Sequence, residues 1–124
     1  MRFAMGVHEL AFSLRERVVG GAVVAELLGE IDIFAEQTLA PRLESLATRC
    51  RGDLVVDLRG VTFLDASGIR LLLRTHLRAT ARGARLRVVR GGPMATKVIR
   101  IAGVEQAFTW LDAFPPVGVG SVPA

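Results

Sequence analysis

The sequence predicts an α/β domain on a mixed, mostly parallel sheet of about five strands. Three observations predict it. Strand-length apolar runs alternate with helix-length stretches that repeat at the helical period. The connections between those runs are long enough for parallel crossovers, apart from the first, where only Gly20-Gly21 intervenes. Finally, 124 residues without an internal repeat or linker hold one core.

The elements follow in order. Phe12–Val19 reads as a strand, Gly20-Gly21 as a two-residue hairpin turn, and Ala22–Leu28 as the returning strand. A helix is expected over 35–49, with Leu39, Leu43, Leu46 and Cys50 at helical spacing. Pro41 lies inside it and should either kink it or mark its true first turn. Arg51-Gly52-Asp53 is a turn, and Leu54–Leu58 is a short, strongly apolar strand. A second helix spans 67–82 and stops at Gly83, a natural residue for the left-handed position past a helix end. Arg85–Arg90 forms the next strand, and Gly91-Gly92-Pro93 opens a third helix with Val98, Ile101 and Ala102 inward, stopped at Gly103. Phe108–Leu111 is a last short strand. The domain is therefore expected over 1–112, in the order β-β-α-β-α-β-α-β, with 113–124 a mobile Pro/Gly-rich tail.

Composition narrows the function. No apolar run approaches the ~20 residues that span a bilayer, and the first residues lack the long apolar stretch of a secretory signal. Cys50 is the only cysteine, which fits a reducing cytoplasm. The net charge of +4 conceals an asymmetry: residues 1–58 sum to −3, and residues 59–100, with Asp65 their one acid, to +9. A basic half fits nucleic acid, an acidic protein partner, or simply a solvated helix face written in arginine. With no Tyr and one Trp for base stacking, direct nucleic-acid binding is disfavoured.

The chemistry concentrates at Ser67, where a buried strand meets a basic helix. The first amides of that helix lack intrahelical partners, and its dipole presents a positive end there. Asp65 is the better cap, able to reach the amide of Ser67 or Gly68, which leaves the Ser67 hydroxyl free. Stepping ~100° per residue from Arg70 puts Ile69, Leu72, Leu73, His76 and Leu77 on the buried face. Ser67, Arg74, Arg78 and Arg82 fall opposite, with Leu71 among them as a candidate docking residue. By spacing alone, Ser67 reads as a structural first-turn serine.

A nucleophile elbow would need glycines where Asp65 and Ile69 stand. His8 and His76 are the only histidines, too few for a catalytic triad or metal centre, and Lys97 follows no phosphate-binding loop. Neither enzymatic activity nor a metal or cofactor is expected.

Two motifs, with the order of elements, resemble the STAS domain of bacterial anti-sigma factor antagonists over roughly residues 8–111. Leu28-Gly29-Glu30-Ile31-Asp32 is similar to that family's Gly-Glu-Leu-Asp after its second strand. Val56-Asp57-Leu58-Arg59-Gly60-Val61-Thr62-Phe63-Leu64-Asp65-Ala66-Ser67-Gly68-Ile69 is similar to its strand and Asp-Ser-Ser-Gly turn. The resemblance implies helices packed mainly on one side of the sheet. It also implies phosphorylation of Ser67 by a partner that is both anti-sigma factor and serine kinase, with Ala66 replacing the first serine of the pair. The unmodified protein would bind the kinase and release a sigma factor; phosphorylation would abolish binding and a phosphatase restore it. Around Ser67, the implied contact residues are Glu30, Asp32, Asp65, Ala66, Gly68, Arg70, Leu71 and Arg74. The alternative is a STAS scaffold subunit of a stress-signalling or lipid-transport complex, in which Ser67 is never phosphorylated.

Overall fold

The computed structural model describes residues 11–50 and 52–112. His8, Arg51 and the expected tail from 113 lie outside the described residues. The elements are β1 (Phe12–Val19), β2 (Ala22–Ile31), α1 (Ile33–Arg49), β3 (Leu54–Leu64), α2 (Ala66–Ala81), β4 (Leu86–Val89), α3 (Pro93–Ile101), a 3-10 turn (Glu105–Ala107) and β5 (Thr109–Leu111). They form one five-stranded sheet in the order β1-β2-β3-β4-β5. The β1–β2 pair is antiparallel around Gly20 and Gly21, which both take positive φ, and the other pairs are parallel. The fold is thus the α/β arrangement expected.

One face of the sheet carries the helices. Leu27, Ile31, Leu54, Val56, Leu58 and Val88 share a core with Leu39, Leu43 and Leu46 of α1, Leu72 of α2 and Ile99 of α3. Burial of these side chains supplies the main driving force for the fold, about 1.5–3 kcal/mol for each large one. On the opposite face, Val24, Val55 and Val89 make a smaller cluster. Beside it the neighbouring carboxylates of Glu26 and Asp57 are buried, answered by Arg17 at 3.2 Å and Arg59 at 2.8 Å.

Strand β2 runs on to Ile31, past the expected Leu28, and three further features depart from the sequence expectation. Strand β3 continues past Leu58 to Leu64, because its second half pairs with Leu28–Ile31 of β2 across two register shifts. There Arg59 and Gly60 belong to the strand; they are not its end. Helix α1 begins at Ile33, so Pro41 sits mid-helix and does not mark a first turn. Pro41 and Gln37, whose carbonyl it leaves without a helical donor, are both exposed, so water can satisfy the lost bond. In α3 the buried pair is Ala95 and Ile99, one turn apart, while Ile101 and Ala102 are exposed and Val98 is half-buried. Gly103 still ends the helix region, at φ +76°.

Candidate functional site at the carboxyl end of the parallel strands

Strands β2 and β3 run in parallel and finish in register, Ile31 opposite Leu64. Each is followed at once by an aspartate that caps a helix. Asp32 accepts from the amides of Phe34 (3.0 Å) and Ala35 (3.1 Å). Asp65 accepts from those of Ser67 (2.8 Å) and Gly68 (3.4 Å), as its spacing predicted. Two carboxylates therefore stand side by side on one rim, each placed by the helix start it completes.

Gly68 fixes how closely α2 approaches that rim. A Cβ there would lie 2.9 Å from the Ile31 carbonyl oxygen and 2.2 Å from Leu64 Cδ1. Only a residue without a side chain lets the first turn of α2 rest on the ends of both strands.

Ser67 is not the free hydroxyl that the helical projection suggested. The residue is 7% exposed, and its Oγ accepts from Arg70 Nη2 at 3.0 Å. Arg70 in turn forks onto Glu36 of α1, with bonds of 2.9 and 3.1 Å to the two carboxylate oxygens. That hydrogen bond, and then the carboxylate's charge, raise the Arg70 pKa further above its ordinary value against a smaller opposing effect of desolvation.

Leu71 does not stand on the exposed face where the helical projection put it. It is fully buried, and so are Thr75 and Ala79, while Leu77, expected in the core, is 65% exposed. The true buried face of α2 runs through Gly68, Ile69, Leu71, Leu72, Thr75 and Ala79. The projection followed the bulky residues, whereas α2 packs against both the sheet and α1 and needs small residues on the shared flank. Thr75 is tolerated there because its hydroxyl donates to the Leu71 carbonyl at 2.8 Å. His76 packs its ring against Phe108, centroids 5.7 Å apart.

The arginine ridge is largely spoken for. Arg74 pairs with Glu44 and lies 3.8 Å from Glu36; Arg78 reaches Glu44 at 3.3 Å. Sequence reasoning passed over Glu36 and Glu44. Their signal was the spacing of eight on one helix, matching Arg70, Arg74 and Arg78 at intervals of four on the next.

Glu30 and Ala66 are exposed on the rim, and Asp32 and Asp65 are half-buried. Exposed apolar side chains that sequence reasoning did not single out join them: Ile33 (47%), Phe34 (57%), Phe63 (44%) and Met94 (37%). Phe63 is the register partner of Glu30, and Met94 sits in the first turn of α3, after β4. Phe34 also walls a groove of about 540 Å³ between β1 and α1, with Phe12, Leu14 and Leu39.

The profile of the STAS domain family matches residues 14–116, most of the chain. This chain belongs to the STAS domain family. A STAS-domain containing protein of Pseudomonas aeruginosa is 34% identical over 91 residues, spanning 72% of this chain and 87% of that protein. Among solved structures, an anti-sigma factor antagonist from Mycobacterium paratuberculosis superposes with a TM-score of 0.75 at 23% identity, covering 83% of this chain and 87% of the other. The anti-sigma factor antagonist SpoIIAA in its unphosphorylated form gives 0.67 at 20% identity, covering 80% and 88%. The Bacillus cell fate determinant SpoIIAA in its phosphorylated form gives 0.61 at 22%, covering 82% and 91%. These likenesses establish a shared fold. Within this STAS domain, the rim offers a hydroxyl held by an arginine, two capping carboxylates and a set of exposed apolar side chains. Among the described residues no helix is long and apolar enough to cross a membrane.

Proposed function

We propose that this STAS domain is an anti-sigma factor antagonist. It binds an anti-sigma factor that is also a serine kinase, through the rim at the carboxyl end of β2 and β3, and thereby releases a sigma factor. Phosphorylation of Ser67 ends the interaction and a phosphatase restores it, in the cytoplasm of a bacterial cell. The observation that carries this reading is the placement of Ser67. It stands in the first turn of α2, beside the capping carboxylates of Asp65 and Asp32 and on the same rim as Phe34 and Phe63. SpoIIAA, of the same fold, is known in unphosphorylated and phosphorylated forms.

A phosphate adds about −1.5 to −2 charges and three acceptor oxygens. Introduced beside exposed apolar side chains that dock a partner, it opposes binding through desolvation and through repulsion from acidic partner groups. Ser67→Ala is therefore expected to bind the kinase and resist modification, and Ser67→Asp to bind poorly. Calorimetry against the kinase, with intact-mass measurement after incubation with ATP, tests both. Equal affinities for the two variants would remove the switch.

The scaffold alternative draws on a different observation. Ser67 is buried under Arg70, as a purely structural serine would be. The same incubation separates the two: a mass gain of one phosphate, lost in Ser67→Ala, selects the switch, and an unchanged mass selects the scaffold.

A further inference from the structure

At the start of α2, Asp65 already occupies the amides of Ser67 and Gly68, so a phosphate on Ser67 meets a carboxylate at those two donors. Asp65 instead adds a negative charge nearby. The cation bonded to the Ser67 hydroxyl is Arg70, and Arg70 is committed to Glu36. A phosphate on Ser67 draws on the guanidinium that Glu36 also holds, and its charge of up to twice a carboxylate's pulls Arg70 toward it.

The buried Glu36, its side chain 9% exposed, would then need another cation, since an unpaired buried carboxylate is costly. Arg74 is the replacement at hand: its Nη1 is already 3.8 Å from Glu36, while its Nη2 engages Glu44. If Arg74 moves to Glu36, Glu44 keeps Arg78, now 3.3 Å away. The interface between α1 and α2 thus holds three arginines against two glutamates, with one cation more than the resting state requires.

We infer that this ridge is a charge ladder that accepts the Ser67 phosphate by shifting one step. Arg70 passes from Glu36 to the phosphate, Arg74 passes from Glu44 to Glu36, and Arg78 becomes the sole partner of Glu44. No acid is left unpaired. The modification is thereby registered along α1, whose first turn carries Ile33 and Phe34, and not only at the modified residue. This inference rests on the phosphorylation of Ser67 proposed above, but its test needs neither kinase nor partner.

The test is to install phosphoserine at 67 during translation and follow the phosphate by ³¹P NMR titration in ~0.5 M salt, where the Debye length falls to roughly 4 Å and unbonded charges are screened. In the otherwise unaltered protein the phosphate pKa falls about one unit below its ordinary value near ~6, because a bonded arginine favours the dianion. Arg70→Gln abolishes that depression. Arg78→Gln, about three turns from the phosphate, reduces it by roughly a few tenths of a unit, because Glu44 then retains Arg74 and the shift cannot complete. Glu44→Gln deepens it by freeing Arg74 for Glu36. The side chains of Arg70, Arg74 and Arg78 are about half exposed, so the variants fold, and circular dichroism checks this. A pKa insensitive to Arg70→Gln overturns the inference, and so does one that responds to Arg70→Gln but not to Arg78→Gln. Partner affinity is scored separately. A shifted ladder with undiminished kinase binding refutes the switch and leaves the ladder standing; lost binding with an ordinary phosphate pKa does the reverse.

Discussion

At Asp32 one carboxylate both caps α1 and carries charge to the rim, and two substitutions separate these roles. Asparagine caps a helix about as well as aspartate, whereas alanine forfeits about 0.5–2 kcal/mol. Asp32→Asn should therefore leave the urea midpoint nearly unchanged, and any loss of kinase affinity it causes reports the charge alone. Asp32→Ala should lower the midpoint as well, since the bonds to Phe34 and Ala35 are lost. Unaltered kinase affinity in Asp32→Asn would remove this residue from the docking surface. Gly68 presents a different balance. Alanine is favoured over glycine in a helix by up to about 1 kcal/mol, but here its Cβ meets the Ile31 carbonyl oxygen and Leu64. Overpacking of this kind costs about 1–3 kcal/mol, so Gly68→Ala should be destabilised in urea unfolding; a raised midpoint would show that α2 can back away from the rim without penalty.

The packing of α2 on α1 poses the question of what holds one helix to the other. Two candidates lie side by side: the arginine–glutamate ridge and the buried stripe of Leu71, Thr75 and Ala79. Half-exposed ion pairs contribute about 0–1 kcal/mol each, whereas truncating a buried leucine costs about 2–5 kcal/mol. Leu71→Ala should thus lower stability several-fold more than Glu44→Gln, measured as paired denaturant midpoints; comparable losses would assign the interface to the ion pairs. The contrast also explains what the sequence made legible. Element order, the Gly20-Gly21 hairpin and the Asp65 cap depend on local chemistry and were readable. The face of α2 was not, because a helix packed against two neighbours buries small residues that hydrophobic periodicity underweights. The reach of β3 beyond Leu58 depends on pairing with β2, which no local pattern announces. Glu36 gains its partners only when α1 and α2 come together.

Across the whole molecule, charges segregated along the sequence are interleaved in space. The acids of the first half meet the arginines of the second: Glu36 and Glu44 face Arg70, Arg74 and Arg78, and Asp53 faces Arg85 and Arg87. Arg90 in turn is matched by Glu105 and Asp112 nearer the end of the described chain. Much of the excess of +9 over residues 59–100 is therefore cancelled within a few ångströms by the fold itself. Long-range steering requires an uncancelled potential and is lost steeply with salt, whereas docking through apolar side chains and short contacts is much less sensitive. Association with the kinase should accordingly slow by less than about tenfold between 50 and 500 mM salt, as steered pairs exceed that range. Stopped-flow measurement of the association rate decides it. A fall of a hundredfold would mean that the arginines reach the partner as free charges, and would favour the acidic-partner reading of the basic half over that of a solvated helix face.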